Sequence, residues 1–490
     1  MFSYDELTPP ERELWGAFPE GCRVDLRAGT PEDDDVAGGQ RWGPDRTVRA
    51  VVIRSLLLGS VDGGRGETPV VHLVGARVSG KLKLVFSEAC CVLRLEKCWF
   101  EQEPQLYGAK LQVTGFGGSH LPGLQANTVT VAGNLDLMNT RIRGGVSLAN
   151  ARFDGSLLLQ GAHLSNPSGV ALDGSRLQAG SGIVGRNGFR ADGEIRLLEA
   201  RLGEGLHLEG ARLHHPGGTA LCAENSQIAR VDCSQGFAAE GAIILTGATI
   251  GGRISFEAAT IRHPTGHAVA CQRLTAPEVN LRSTHTEGTV DLRHARLDVL
   301  HIPNGAPGPL VHLDGLVYRS LEPPLPVEPR RTLIESDPDG YRPQPYQQLA
   351  AVYRSLGHDN DARQVLLAQQ RRRHRHLHPA GRAWGLLLDA TVGYGYRPWL
   401  AALWLLAFTA LGTAVFHTHT PHPTQSGPGP HFSALAYTLD LLIPIGGLGQ
   451  RTAWYWTTPG VQRLAYLLIA VGWLLTTAVI AGVTRTLSRN

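Results

Sequence analysis

The sequence predicts a mainly β protein: a parallel β-helix (solenoid) with an α-helical N-terminal cap, a helical hairpin and a C-terminal two-helix transmembrane domain. Three observations lead to this prediction. A phrase of glycine followed by aliphatic residues at alternate positions recurs through the middle of the chain. A longer repeat of roughly 48 residues overlies it, which is typical of a solenoid. Two apolar runs without Asp, Glu, Lys or Arg follow, at Leu400 to Phe416 and Leu464 to Val483.

These features divide the chain into five predicted segments. They are a helical N-terminal cap (1–69), β-solenoid repeats (70–320), a Pro-rich linker (321–344), a helical hairpin with a basic end (345–380) and a transmembrane domain (381–490) with spans 400–416 and 464–483 and a re-entrant segment 432–450. The net charge of +3 indicates no general affinity for nucleic acid. Seven cysteines without a C-x-x-C pair favour reduced thiols in a cytoplasmic protein over a disulfide framework or a zinc site.

The N-terminal cap is predicted from two helix signals. Thr8 with Glu11 three residues later is a capping-box pattern, and Pro9 stands at the first helical position. A second helix is predicted from Thr47 through Leu58. Its apolar side contains Val48, Val51, Val52 and Leu56. We expect these helices to cover the first coil of the solenoid, since the end of a repeat array needs a cap.

The repeated phrase predicts short strands with one buried side. Examples are Gly80 to Leu84, Gly133 to Leu137 and Gly193 to Leu197. Strict alternation indicates a half-buried strand, and the glycine before it marks a turn. Each unit of about 11 or 12 residues is therefore one strand pair or one face of a coil.

The longer repeat joins these units into a rod. It is seen in the spacing of equivalent glycines and of equivalent turns: Gly145, Gly193, Gly241 and Gly288, and Asn166 to Gly169, His215 to Gly218 and His263 to Gly266. Strands this short bury their aliphatic side only by stacking, so we expect a cytoplasmic rod of about five coils or more. The pattern resembles a loosened pentapeptide-repeat solenoid. That resemblance implies binding or scaffolding, and the long flat sides suit protein or nucleic-acid contact.

The segment from Pro345 to Arg373 reads as two helices. One predicted helical face contains Tyr346, Leu349, Ala350 and Tyr353, and the other contains Ala362, Val365, Leu366 and Gln369. Gly357 is expected to end the first helix. The pair resembles a single tetratricopeptide-type unit, which we interpret as a structural adaptor between rod and membrane.

Charge placement predicts the orientation in the membrane. A basic cluster lies before the first apolar run, and Arg371, Arg372, Arg373 and Arg375 are the predicted contacts with lipid of the inner leaflet. By the positive-inside tendency, both termini are cytoplasmic and the protein is a multi-pass protein of the cell membrane. The acidic N-terminal stretch has no apolar h-region, so no secretory signal is expected.

Two membrane-spanning helices with a re-entrant loop between them have the layout of a pore. The candidate pore-loop residues are Asp440, Pro444, Gly446, Gly447, Gly449 and Gln450. The segment from Phe432 to Gln450 resembles the pore helix and filter of two-span potassium-type channels, although Pro444 replaces a filter Thr and Gln450 an acidic residue. Such a pore implies a homo-oligomer of four subunits. The alternative is an amphipathic hairpin that packs on the spans without conducting.

Nearly the whole chain resembles a group of actinobacterial proteins usually filed as membrane-associated oxidoreductases. The resemblance rests on four stretches: Trp42 to Ala50, Tyr353 to His358, Gly393 to Trp399 and Tyr437 to Ile445. The residues themselves predict no catalytic group, cofactor or metal ligand. Two functions stay open: a membrane-anchored scaffold or sensor that binds a cytoplasmic protein partner and is coupled to an ion-conducting pore domain, or an oxidoreductase, as the family label implies.

Overall fold

The computed structural model describes residues 4–59, 68–302, 310–324, 326–375, 399–424, 431–444 and 447–487. Side chains are described to residue 373 in the basic helix and to residue 477 in the last helix. The chain forms two compact units, Met1–Gln348 and Leu349–Asn490. Each is described separately.

A parallel β-solenoid of about 11 turns occupies residues 70–322, as predicted. Its strands form two long parallel sheets. The first contains Arg23–Asp25, Val70–Val74, Val92–Glu96, Lys110–Leu111, Thr114–Gly115, Thr130–Val131, Leu135–Asp136, Arg152–Phe153, Ser156–Leu158, Gln178–Ala179, Gly182–Val184, Arg201–Leu202, Leu206–His207, Gln227–Ile228, Val231–Asp232, Thr249–Ile250, Arg253–Ser255, Thr275–Asn280, Arg296–His301 and Ser320–Glu322. The second contains Thr47–Arg49, Arg77–Ser79, Trp99–Phe100, His120–Leu121, Leu124–Gln125, Arg141–Arg143, Val146–Ser147, His163–Asp173, Arg190–Arg196, Arg212–Cys222, Ala238–Ile244, Thr260–Ala270, His285–Asp291 and Val311–His312.

The aliphatic residues of successive coils stack in register inside the solenoid. Leu135 pairs with Leu157, which pairs with Ile183, and the same column continues coil by coil to Leu321. Its members are all buried. Strands in a sheet lie about 4.8 Å apart, so each coil adds one apolar side chain to a continuous core. This arrangement confirms the half-buried strands expected from the alternation.

The repeat of roughly 48 residues spans two coils, because alternate coils differ in length. Arg152, Gln178 and Arg201 are register partners, so two coils separate the two arginines. In every second coil an extra loop interrupts the strand in the second sheet, seen as a register shift between His214 and Thr219. The turns predicted at Asn166, His215 and His263 are these loops.

Each loop folds over a glycine of the next coil. Gly241 has φ +132°, and a Cβ built there would lie 2.7 Å from the His215 carbonyl oxygen and 3.0 Å from that of Gly218. Gly193 and Gly288 stand in the same relation to the loops at Asn166 and His263. The long-period glycines therefore leave room for the loop backbone.

The N-terminal region is an α/β cap rather than a purely helical one. Helix α1 (Pro9–Ala17) begins as predicted, with the Thr8 backbone N–H donating to Glu11 Oε2 at 3.0 Å. Helix α2 (Ala50–Leu58) is shorter than predicted, because Thr47–Arg49 forms a strand paired with Arg77–Ser79. The strand shifts the buried side of the helix. Val48, Val52 and Leu56 are buried as expected, but Val51 is 41% exposed, and Ile53 and Leu57 fill the core instead.

Three helices follow the solenoid: α3 (Val327–Glu335), α4 (Pro343–Ser355) and α5 (Asp359–Arg375). Helix α3 lies within the segment predicted as a linker. The eight residues expected on the inner faces of α4 and α5 are all buried. Gly357, with φ +79°, follows the end of α4 as predicted.

The C-terminal unit contains two long apolar helices. The first apolar helix is Trp399–His417 and the second apolar helix is Pro459–Leu487. Both are long and apolar enough to cross a membrane by length and composition. Between them the structure has a nine-residue short helix, Ala434–Leu442, a turn of helix at Gln450–Ala453 and a small antiparallel pair, His422–Pro423 with Trp454–Tyr455.

Candidate functional site

A groove of polar side chains runs across four coils of the first sheet. We call it the polar groove. It is lined by Asn150, Arg152, Arg176, Gln178, Glu199, Arg201, Asn225 and Gln227. Two columns of equivalent positions supply these side chains: a strand position and the turn position two residues before it. The groove therefore exists only because the coils are stacked in register.

The turn column has an unusual backbone. Asn150, Arg176, Glu199 and Asn225 all have φ between 53° and 57°. Non-glycine residues occupy this left-handed region rarely, and here it turns the chain into the next strand. The strand column, Arg152 to Gln227, points away from the aliphatic core because its neighbours along each strand point inward.

The lining side chains are available to a ligand. Within residues 68–302, none of the eight takes part in an ion pair or a side-chain hydrogen bond. The groove encloses about 380 Å³, and an adjoining open depression along the same strands encloses about 700 Å³. Three guanidinium groups against one carboxylate leave the polar groove with an excess of positive charge. Arginine binds carboxylates with two parallel hydrogen bonds, and side-chain amides both donate and accept.

The candidate pore-loop residues have structural partners of their own. Asp440 is 1% exposed. Its Oδ1 accepts a hydrogen bond from the Leu448 backbone N–H and its Oδ2 one from that of Arg451, both at 2.8 Å. The carboxylate therefore holds the chain where it leaves the short helix and starts the next helical turn. A negative group near a helix N-terminus is favourable, and the N-cap there is a glycine without a side chain of its own.

The other candidates are spread over this loop. Gln450 is buried, and its Nε2 donates to the His431 carbonyl oxygen at 3.0 Å. Gly449 has φ +74° and is exposed, like Gly447. Pro444 is half-buried, and Gly446 lies outside the described residues. Within one chain, Asp440 and Gln450 fasten the described part of this loop through hydrogen bonds to backbone groups.

Two glycines let the short helix approach both apolar helices. A Cβ on Gly472 of the second apolar helix would meet the Leu442 carbonyl group, and one on Gly412 of the first apolar helix would meet the side chain of Thr438. The Thr438 hydroxyl is fully buried and donates to the Ala434 carbonyl oxygen at 2.7 Å. Small residues at such contacts are typical of helices packed within a membrane.

The predicted lipid contacts lie on the last turns of α5. Arg371 and Arg373 are exposed and Arg372 is half-buried, while the side chain of Arg375 lies outside the described residues. The helix brings three basic side chains to its C-terminal end, where cations also interact favourably with the helix dipole.

The most deeply buried thiols are poor nucleophiles. Burial raises the pKa of Cys98 and of Cys271 to about 12, and it raises the pKa of Cys233 as well. The thiolate is the reactive form of cysteine, so these three residues act as apolar core filling. They give no support to thiol redox chemistry.

Comparison of this chain with protein-family models, with curated proteins and with solved structures gives no match. The resemblances seen in the sequence therefore stay predictions. The sequence did not predict the polar groove, because its residues are distant in the chain and meet only through the register of the coils. Two of its arginines, Arg152 and Arg201, follow equivalent repeat alanines about 48 residues apart, and this recurrence was the available signal.

Proposed function

We propose that the protein is a membrane-anchored binding protein whose solenoid captures an extended, acidic segment of a cytoplasmic protein partner in the polar groove. The observation that carries this proposal is the set of eight lining side chains, held at fixed spacing on stacked coils, that make no ion pair or side-chain hydrogen bond with the described part of the chain. The two apolar helices would anchor the protein in the cell membrane, with both termini in the cytoplasm. The arginines at the end of α5 would contact anionic lipid at the inner leaflet.

The chemistry of the groove favours a peptide over a nucleic acid. Neighbouring coils repeat about every 4.8 Å, so the groove offers a regular row of donors to a chain lying across them. Arg152, Arg176 and Arg201 suit carboxylates, while the amides suit peptide groups. Glu199 and Asp154 lie on the same surface and would repel a continuous phosphate backbone.

Replacing the three arginines should abolish peptide binding. The probe is a fluorescent peptide with glutamate at alternate positions, titrated into the full-length protein in detergent. We expect Arg152→Gln, Arg176→Gln and Arg201→Gln each to weaken binding about tenfold and the triple variant to lose it, because each removes one charge-assisted contact. Anisotropy at two salt concentrations measures the effect.

Arg262→Gln is the matched control, because Arg262 is exposed on the second sheet. It should bind the peptide like the wild type. Equal binding by the triple variant would contradict the proposal, and so would stronger binding of a single-stranded DNA oligomer than of the peptide.

A second function, ion conduction, is favoured by one observation. The short helix contacts both apolar helices and lies between them in the chain, in the order that a two-span pore requires. We propose that a homo-oligomer would place the turns of several subunits around one axis. Gly447 and Gly449 would then present backbone carbonyl groups to an ion.

Flux of monovalent cations from reconstituted liposomes tests conduction. Gly447→Val should reduce the flux at least tenfold while leaving the fold intact, because a Cβ there meets nothing closer than 3.9 Å within the described chain. Gly460→Val, at a position where a Cβ has no neighbour within 4 Å, is the control and should conduct normally. Absence of flux from the wild type rejects conduction. A bound redox chromophore in that protein would instead favour an oxidoreductase.

A further inference from the structure

A histidine and two aspartates meet at the C-terminal end of the solenoid. His312 lies in the last strand of the second sheet, and Asp337 and Asp339 lie in the turn that follows α3. One ligand atom from each of the three lies within 4.8 Å of the others. The His312 Nδ1 is 3.2 Å from Asp339 Oδ2 and 3.9 Å from Asp337 Oδ1.

His312 presents a buried nitrogen, Nδ1, that has no hydrogen-bond partner among the described residues. Its side chain is nine-tenths buried, and Nδ1 makes no hydrogen bond of acceptable geometry within the described residues. A buried polar atom in this state costs about 1–3 kcal/mol unless something binds it. The atom lies near both carboxylates, so a cation between them would contact all three side chains.

The turn is built to hold its carboxylates in place. Asp337 Oδ2 accepts a hydrogen bond from the Leu313 backbone N–H at 3.0 Å, and Asp337 Oδ1 accepts one from the Asp339 N–H at 2.9 Å. The side chain of Asp337 is only 2% exposed. Each oxygen retains a further lone pair, because a carboxylate accepts about four hydrogen bonds.

The charges at this end do not balance. Asp291 is fully buried and is paired with Arg293, whose Nη2 lies 2.5 Å from Asp291 Oδ2. Arg293 reaches Asp339 only at 3.7 Å, so it chiefly neutralises Asp291. Asp337 and Asp339 therefore place two carboxylates beside a histidine, with one long ion pair from Asp339 to Arg293.

We propose that His312, Asp337 and Asp339 bind a divalent transition-metal ion of the zinc class. One imidazole nitrogen and two carboxylate oxygens form a donor set that zinc accepts, with bonds of about 2.0–2.2 Å. Ligand atoms around such an ion lie roughly 3–4 Å apart, as the two distances to His312 Nδ1 do. The nitrogen ligand disfavours calcium and magnesium, which prefer all-oxygen sites. A fourth position would be left to water.

The site would fasten the end of the solenoid to the chain that follows it. His312 belongs to the last coil, while both aspartates come from the turn between α3 and α4. A bound ion would cross-link these two segments and complete the C-terminal cap of the repeat array. Such an ion contributes directly to folding stability, because the unfolded chain has no preformed site.

Zinc binding to the full-length protein tests this inference. The zinc content after dialysis is measured by mass spectrometry, and the affinity by competition with a chromogenic chelator. We expect one tight ion per chain in the wild type and at least a hundredfold loss of affinity in Asp339→Asn, whose carboxylate holds no backbone group. Cobalt substitution should give the d–d absorption of a four-coordinate site in the wild type only.

His312→Asn is the second variant, and Asp298→Asn, with an exposed carboxylate at the same end of the solenoid, is the control. A chelator should lower the thermal midpoint of the wild type and of Asp298→Asn, but not that of the two site variants. Weak ions on the exposed histidines at His417 and His419 are unaffected by these changes. Equal zinc affinity of the wild type and Asp339→Asn would overturn the proposal. So would a thermal midpoint of the wild type that the chelator leaves unchanged.

Discussion

Gly241→Ala unfolds the solenoid at a markedly lower temperature than the wild type. The added Cβ would lie 2.7 Å from the His215 carbonyl oxygen and 3.0 Å from that of Gly218. Both are backbone atoms, so no change of side-chain rotamer relieves the clash. The glycine also has φ +132°, where residues with a side chain are strained. Together these effects should cost about 3–5 kcal/mol. The fall in the thermal midpoint, followed by circular dichroism of the β signal, measures it.

Gly236→Ala separates the clash from the backbone strain. Gly236 also has positive φ, +82°, but a Cβ there has no neighbour within 4 Å. Its replacement should cost only about 1–2 kcal/mol. If the two variants unfold alike, the loop at His215 does not press on Gly241, and our explanation of the glycine repeat is wrong.

Asp440→Ala is expected to disorder the turn between the short helix and the second apolar helix. The substitution removes two charge-assisted hydrogen bonds of 2.8 Å, each worth about 1.5–3 kcal/mol, and leaves the N–H groups of Leu448 and Arg451 without their partner. We expect a loss of about 3–5 kcal/mol in the stability of the C-terminal unit. Unfolding in mild detergent, followed by tryptophan fluorescence, measures it.

Asp440→Asn retains one acceptor oxygen and should lie between alanine and the wild type. Thr452→Ala removes an exposed hydroxyl whose bond to the Gly449 carbonyl oxygen is 3.3 Å long, and it should have little effect. If Asp440→Asn is as stable as the wild type but changes ion flux, then the carboxylate serves conduction rather than the turn.

Asp440 shows where reasoning from one sequence was incomplete. An acidic residue within an apolar segment predicts a functional site, and a nearby pore was the explanation that the sequence suggested. The structure offers another reason for its presence, since the carboxylate binds the backbone of a turn that lies eight and eleven residues later. The partners of a buried charge depend on how the chain folds back on itself. The local pattern of the sequence does not contain this information.

The faces of α4 and α5 show the opposite case. All eight residues assigned to their inner sides are buried, because helical periodicity is a local property that repeats every few residues. The phase of α2 was wrong at Val51 for a reason that is not local. Thr47–Arg49 pairs as a strand with Arg77–Ser79, about 30 residues later, so the helix begins only at Ala50.

From the sequence alone came the solenoid, its aliphatic interior, the helical hairpin and the two long apolar helices. All of these follow from periodicity along the chain, including the repeat of roughly 48 residues, or from uninterrupted apolar length, and both can be read from one sequence. The tertiary structure alone decided that the long repeat covers two coils, that eight polar side chains line one groove and that His312 faces Asp337 and Asp339. These groupings depend on the number of residues in each coil, because a change of a single residue would bring different side chains into register.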